Sequence, residues 1–174
     1  MILIGLVCPF GEPARIEKDQ RLGKFNEQFE CGCFDALLRG TRVVPVWISH
    51  DARHVIANEC DLWTTYAGLY ARITVLPRAE RLVREYAYDA ERWGRRMRAS
   101  VNFLDDDLDD HWSAPPRRVR MITRVARLRE VSLSVHPAYA STWIAYNTPE
   151  ARQRIVREEL NAAQKEIEAL RAAV

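Results

Sequence analysis

Apolar residues recur along the chain at two spacings. Up to about residue 135 they come in short runs or in alternation with polar residues, the period of a strand. Beyond Pro77, and again beyond Pro149, steps of three and four take over, the period of a helix. The opening run Met1 to Val7 is continuous, is stopped by Pro9 and Gly11, and reads as a first strand. Arg42 to Ile48 is a second run of β-branched and aromatic residues and ends at Ser49-His50. Leu62 to Tyr66 and Leu69 to Val75 follow, and Ala67-Gly68 between them suits a tight hairpin turn. Met97 to Phe103 alternates, with Val101 and Phe103 on one face and Ser100 and Asn102 on the other. Val119 to Val135 returns to strand. From Glu130 onward, Val131, Leu133 and Val135 share a face that belongs in a core, leaving Glu130, Ser132, Ser134 and His136 for a cleft or for solvent.

Between these runs, Asn26 to Leu38 carries Phe29, Phe34, Leu37 and Leu38 and reads as a loop leading into a short helix. After Pro77, Leu82, Tyr86, Ala90 and Trp93 make one helical stripe, and Gly94 stands where a left-handed C-terminal cap is wanted. Leu104 to Arg118 holds Asp105, Asp106, Asp107, Asp109 and Asp110, then Pro115-Pro116. Repelling charges and paired prolines predict a loop there. Thr148-Pro149 supplies an N-cap and a first-turn proline for a last helix. Along it Val156, Leu160, Ala163, Ile167, Leu170 and Val174 follow a heptad seam flanked by Glu and Arg. Such a seam pairs with a copy of itself, pairs with a partner helix, or packs on its own domain. It is too short to be stable alone.

The chain has 174 residues, of which 48% are hydrophobic, enough for one compact domain and at most a small second one. Basic residues number 26 and acidic ones 24, a net charge of +2 that argues against a dedicated nucleic-acid binder. No apolar run approaches the roughly 20 residues a bilayer crossing needs. The first residues lack the basic region of a secretory signal. Cys8, Cys31, Cys33 and Cys60 are then expected as reduced thiols acting as small buried hydrophobes, since Cys31 and Cys33 are too close for a CxxC motif. The five tryptophans read as core or interface mass.

Chemistry points to polar residues that lie on or end strands: His50, Ser100 and Glu130. A serine hydroxyl becomes a nucleophile when a base takes its proton, and histidine titrates near the right pH. A carboxylate behind the imidazole fixes its tautomer. Residue types alone are a weak signal in a chain of this size. His50 and His54, with Glu59 and Cys60 nearby, make a zinc site conceivable, but HxxxH needs a helix and this stretch reads as a loop. The Asp105 to Asp110 run lacks the glycine and terminal glutamate of a calcium loop and reads as a solvated loop or a lid.

Four ordered blocks add to this. They are Glu27-Gln28-Phe29-Glu30-Cys31-Gly32-Cys33-Phe34; Pro45 to Asp51 with the following Gly68-Leu69-Tyr70; Ala99-Ser100-Val101-Asn102-Phe103; and Leu128-Arg129-Glu130-Val131-Ser132-Leu133 with Pro137-Ala138 downstream. Over residues 1 to 145 their order resembles the prohead maturation proteases of tailed phages, which are related in fold to the herpesvirus assemblins. The resemblance implies an α+β, mainly β fold: an antiparallel β-barrel flanked by helices over residues 1–148, then a C-terminal amphipathic helix over 149–174. It implies Ser100 as nucleophile, His50 as general base and Glu130 as the carboxylate that orients His50, with no metal or organic cofactor. His136 is the alternative third member, by analogy with the assemblins' histidine, but Glu130 fits the matching block. The implied substrates are the scaffolding segment of the phage major capsid protein and the protease itself, inside a prohead in the host cytoplasm. Homo-oligomers through the C-terminal helix are expected as a further possibility, and neither nucleic acid nor membrane is an expected partner. Asn102 stands where the family commonly has glycine, a glycine expected after the histidine is replaced around Ala57, and Tyr139 stands where asparagine is usual. The rival reading is a non-catalytic assembly or scaffolding protein that keeps the fold and binds capsid subunits through Val156 to Val174.

Overall fold

A computed structural model describes residues 1–19, 23–40, 43–114 and 118–172. Arg42 of the expected second strand, Pro115-Pro116 of the expected loop and Val174 of the seam lie outside the described residues. In chain order the elements are β1 (Ile2–Pro9), β2 (Ala14–Asp19), β3 (Gly23–Phe29), α1 (Asp35–Arg39), β4 (Val46–Ile48), β5 (Asp51–Ala57), β6 (Asp61–Thr65) and β7 (Gly68–Thr74). After a 3₁₀ turn at Pro77–Ala79 come α2 (Glu80–Arg92), β8 (Arg98–Asn102), β9 (Leu108–Trp112), β10 (Val119–Val125), β11 (Glu130–Ser134), β12 (Ala145–Tyr146) and α3 (Pro149–Ala172).

The strands form three four-stranded sheets, ordered β12-β1-β7-β6, β2-β3-β10-β9 and β5-β4-β11-β8. The expectation of a mainly β chain with a C-terminal helix is met. The closed antiparallel barrel is not found among the described residues, and two ladders, β3 with β10 and β4 with β11, run parallel.

β1 is apolar throughout because both of its faces are covered. Leu3 and Val7 enter the main core, while Ile4 and Leu6 join Tyr70, Trp143, Ala151 and Ile155 beneath α3. Gly5 is required by close approach, since a Cβ there would lie 2.0 Å from the Trp143 carbonyl oxygen. The main core is centred on aromatic rings: Phe29 stacks on Phe34 at 5.4 Å and meets Phe103 edge-on at 5.7 Å and Tyr139 at 5.5 Å.

Several elements differ from expectation. The β6–β7 turn is Tyr66-Ala67, one residue earlier than read, because Gly68 must open β7 where a Cβ would lie 2.2 Å from the Cys8 carbonyl oxygen. The stretch from Val119 to Val135 is two strands, β10 and β11, in different sheets. β2, β3 and β5 were not anticipated; β2 and β5 are sheet edges, and the consecutive exposed residues Ala52, Arg53 and His54 give β5 no alternation. In α2 the buried residues are Val83 and Ala90, and Trp93 is exposed, so the stripe is rotated from the one read. Cys8 and Cys33 are buried, whereas Cys31 is exposed.

The acidic run is not a free loop. Asp105 and Asp107 lie in a 3₁₀ turn and Asp109 and Asp110 in β9, which pairs antiparallel with β10. Arginines neutralise the run: Arg120 bonds Asp105 at 2.9 Å and also Asp110, Arg127 meets Asp107 at 2.9 Å, and Arg124 meets Asp109 at 3.3 Å. Opposed charges across a ladder turn a repulsive run into a strand.

Candidate active site

β4 and β5 are joined by a two-residue turn, with Ile48 paired to Asp51 and Ser49-His50 at the tip. Both tip residues have positive φ, 53° at Ser49 and 61° at His50. Left-handed backbone at two successive non-glycine residues matches the twist of a hairpin, yet it costs strain that the surroundings must offset. Strand β11 supplies most of the restraint. The Ser49 N–H donates to the Leu133 carbonyl at 2.8 Å, and the His50 N–H donates to Ser132 Oγ at 2.9 Å. The His50 imidazole Nδ1 lies 2.5 Å from Glu130 Oε1, and Ser49 Oγ lies 3.3 Å from the Tyr86 hydroxyl on α2.

Glu130 opens β11 and is fully buried, although alternation had left it for a cleft or solvent. Ser132 and Ser134 are buried with it. Their polar face is therefore interior, and its groups need partners there. Glu130 Oε1 has the imidazole, whereas Oε2 has no hydrogen-bond partner among the described residues. A carboxylate on Nδ1 keeps the proton on that nitrogen, leaves Nε2 free to accept another, and stabilises the imidazolium that forms. The His50 side chain is 39% exposed, so the ring stays within reach of an incoming group.

Ser100 lies on β8 directly opposite Ser132, and Asn102 lies opposite Glu130. Directly opposed residues of an antiparallel pair share a face, as do residues two apart. Ser100, Asn102, Glu130 and Ser132 therefore share one face of this sheet. Ser100 and Glu130 are diagonal neighbours, a relation that sets residues about 7–8 Å apart with their Cβ atoms somewhat closer. Among the described residues no hydrogen bond joins Ser100 Oγ to His50. Of the three residues singled out from the sequence, His50 and Glu130 are thus in contact, and Ser100 sits on the same sheet face.

The other candidates lie apart. His136 is exposed, with Nε2 2.5 Å from Arg95 Nη1, and Glu130 instead meets His50. His54 stands on strand β5, where Nδ1 lies 3.4 Å from Asp51 Oδ2, and that stretch is not the loop expected. A groove of about 1500 Å³ runs between the end of β1, Arg95–Arg98 and α3, and it is lined by none of His50, Ser100 and Glu130.

Two groups of residues escaped the sequence reading. Ser132 shows in the alternation of β11 as a polar position, but its bond to the His50 backbone crosses 82 residues. The second group is a buried charge cluster. Arg120 lies 3.6 Å from Glu27 besides its two aspartates, and the Tyr139 hydroxyl donates to Glu27 at 3.3 Å. Burial outweighs the nearby guanidinium and pushes the Glu27 carboxyl up to about 7. No signal in the sequence pairs Glu27 with Arg120, since their strands are parallel neighbours far apart along the chain.

Residues 12–155 match the model of a protein family described as caudovirus prohead serine protease. No curated protein matches the chain.

Proposed function

Because the chain belongs to the caudovirus prohead serine protease family, we propose that it is a serine endopeptidase working through Ser100, His50 and Glu130. His50 takes the Ser100 proton as Oγ attacks a peptide carbonyl carbon. The tetrahedral intermediate collapses, the imidazolium gives its proton to the leaving amine, and an acyl-enzyme remains. Water, deprotonated by His50, then releases the second product and Ser100. Glu130 holds the imidazole tautomer and offsets the positive charge during both halves. The reaction uses no metal or organic cofactor.

The contact that carries this reading is the 2.5 Å approach of His50 Nδ1 to the buried Glu130 carboxylate. Ser100 on the same sheet face supports it. Residues 1–148 serve as the catalytic body and the helix after Pro149 as an association element. The substrates are the scaffolding segment of the capsid protein and the chain itself, cut within the assembling prohead in the host cytoplasm. A fluorophosphonate probe tests the nucleophile. The wild-type chain should be labelled and Ser100→Ala should not; equal labelling of both would remove Ser100 from the mechanism.

One observation favours a second reading, a non-catalytic assembly protein. Ser100 Oγ has no hydrogen bond to the imidazole among the described residues, and Asn102 occupies the position opposite Glu130. A folded wild-type chain that resists the probe and cleaves neither itself nor capsid protein would select that reading.

A further inference from the structure

α3 is attached to the body by one face. Ala151 and Ile155 are buried with Ile4, Leu6, Tyr70 and Trp143. Glu158 accepts hydrogen bonds from the Tyr70 hydroxyl at 2.8 Å and the Trp143 indole N–H at 3.0 Å. The heptad seam is a different face. At about 100° per residue it is centred some 140° around the helix from Ala151, Ile155 and Glu158, pointing away from the body. Val156, Leu160, Ile167 and Leu170 are 55%, 65%, 50% and 61% exposed. Packing on its own domain therefore does not account for the seam. A continuous stripe of large aliphatic side chains left in water is unfavourable by about 25 cal/mol per Å² and marks a contact surface.

We propose that this seam pairs with the same seam of a second copy of the chain, as a parallel two-stranded coiled coil. The flanking charges identify the occupant. With Leu160 and Ile167 at the a positions and Val156, Ala163 and Leu170 at d, the e positions are Arg157, Gln164 and Arg171, and the g positions are Glu159 and Glu166. In a parallel pair each g residue meets the e residue of the partner's next heptad. Glu159 then faces Gln164 and Glu166 faces Arg171, twice over by symmetry. An antiparallel pair sets e against e and g against g, arginine against arginine and glutamate against glutamate. The single like-charged contact of the parallel pair, Arg152 with Arg157, falls at the N-terminal edge of the seam, where Arg152 already donates to the Asn147 side chain at 2.8 Å. Because each body attaches on the side of α3 away from the seam, two bodies fit on opposite flanks of the coil. About two heptads give a weak, concentration-dependent dimer.

Sedimentation velocity on the full chain across a concentration series reads the association. The apparent mass should double with rising concentration, and Ile167→Glu should abolish the doubling while leaving the circular dichroism of the body unchanged. A disulfide test reads the orientation, with exposed Cys31 replaced by serine. In a parallel pair Leu170→Cys faces its own copy and cross-links on oxidation. In an antiparallel pair, where a d position packs against an a position, it faces Leu160, and the two thiols lie about 15 Å apart. A chain that stays monomeric throughout overturns the proposal, as does a dimer indifferent to Ile167→Glu or a dimer in which Leu170→Cys fails to cross-link. None of these results depends on whether the chain cleaves peptides, so the proposal and the protease reading stand or fall separately.

Discussion

His50 Nδ1 lies 2.5 Å from Oε1 of Glu130, a carboxylate fully withdrawn from water and 80 residues away along the chain. A buried carboxylate is costly unless bonded, and Glu130 has only this bond among the described residues, with Oε2 unpartnered. Such an arrangement is poor as a staple and well suited to orienting an imidazole.

Glu130→Gln should therefore separate activity from stability. Replacing the carboxylate by an isosteric amide removes a desolvated charge, so the thermal midpoint should hold or rise. Cleavage should fall by about 10²–10⁴, because the tautomer and the imidazolium are no longer supported. Scanning calorimetry and a gel assay of substrate cleavage read the two effects. A variant that unfolds early but cleaves normally would make Glu130 a structural residue.

Ser132→Ala removes the acceptor of the His50 N–H and with it one restraint on the left-handed turn. An unsatisfied backbone donor costs about 1–3 kcal/mol of stability, and an imidazole displaced from its position should lower kcat by up to about 10²-fold. KM should change little, since Ser132 is buried. Ser132→Thr, which restores a hydroxyl, should recover much of the rate. Steady-state kinetics on the three proteins decides it.

Glu27 gives the fold a pH dependence of defined sign. Its carboxyl is pushed from 4.5 up to about 7 in the folded chain, chiefly by burial. Between those values the folded state binds a proton that the unfolded state has lost. The resulting stabilisation is complete below pH 4.5 and is lost as pH rises through 7, amounting to about 3 kcal/mol. Urea melts from pH 4.5 to 8 should show that decline in the wild type and a flatter profile in Glu27→Gln.

Gly5→Ala and Gly11→Ala should differ sharply. The first drives a Cβ to 2.0 Å from the Trp143 carbonyl oxygen, and it faces backbone that also pairs with β1, since the Trp143 N–H donates to the Leu6 carbonyl at 3.0 Å. A loss of about 3 kcal/mol or more is expected, with a lower melting temperature. At Gly11 nothing lies within 4 Å and only the positive φ of 68° opposes a side chain, so about 1 kcal/mol should be lost. Thermal melts of both variants test the contrast.

Much of this molecule follows from local periodicity. Continuous apolar residues made β1 legible, the alternation around Ser100 and Glu130 made their strands and shared polar faces legible, and steps of three and four located α2 and α3. Side-chain direction has a period of two in a strand and 3.6 in a helix whatever the rest of the chain does. Edge strand β5 was not legible, because pairing on one side leaves Ala52, Arg53 and His54 exposed in succession and imposes no pattern. The aspartates of the 105–110 run read as mutual repulsion, since the arginines that neutralise them lie 10 to 20 residues away.

The amino-acid sequence by itself thus singled out residues whose types suit chemistry and, for Ser100 and Glu130, placed each on the polar face of its strand, for these depend on residue type and near neighbours. Tertiary structure alone decided that a turn with two left-handed residues holds His50 against Glu130, that the polar face of β11 is interior, that the described strands group into three four-stranded sheets, and that the seam of α3 is left outside. Each of these rests on pairing and desolvation between segments tens of residues apart, and those energies exist only once the chain has folded.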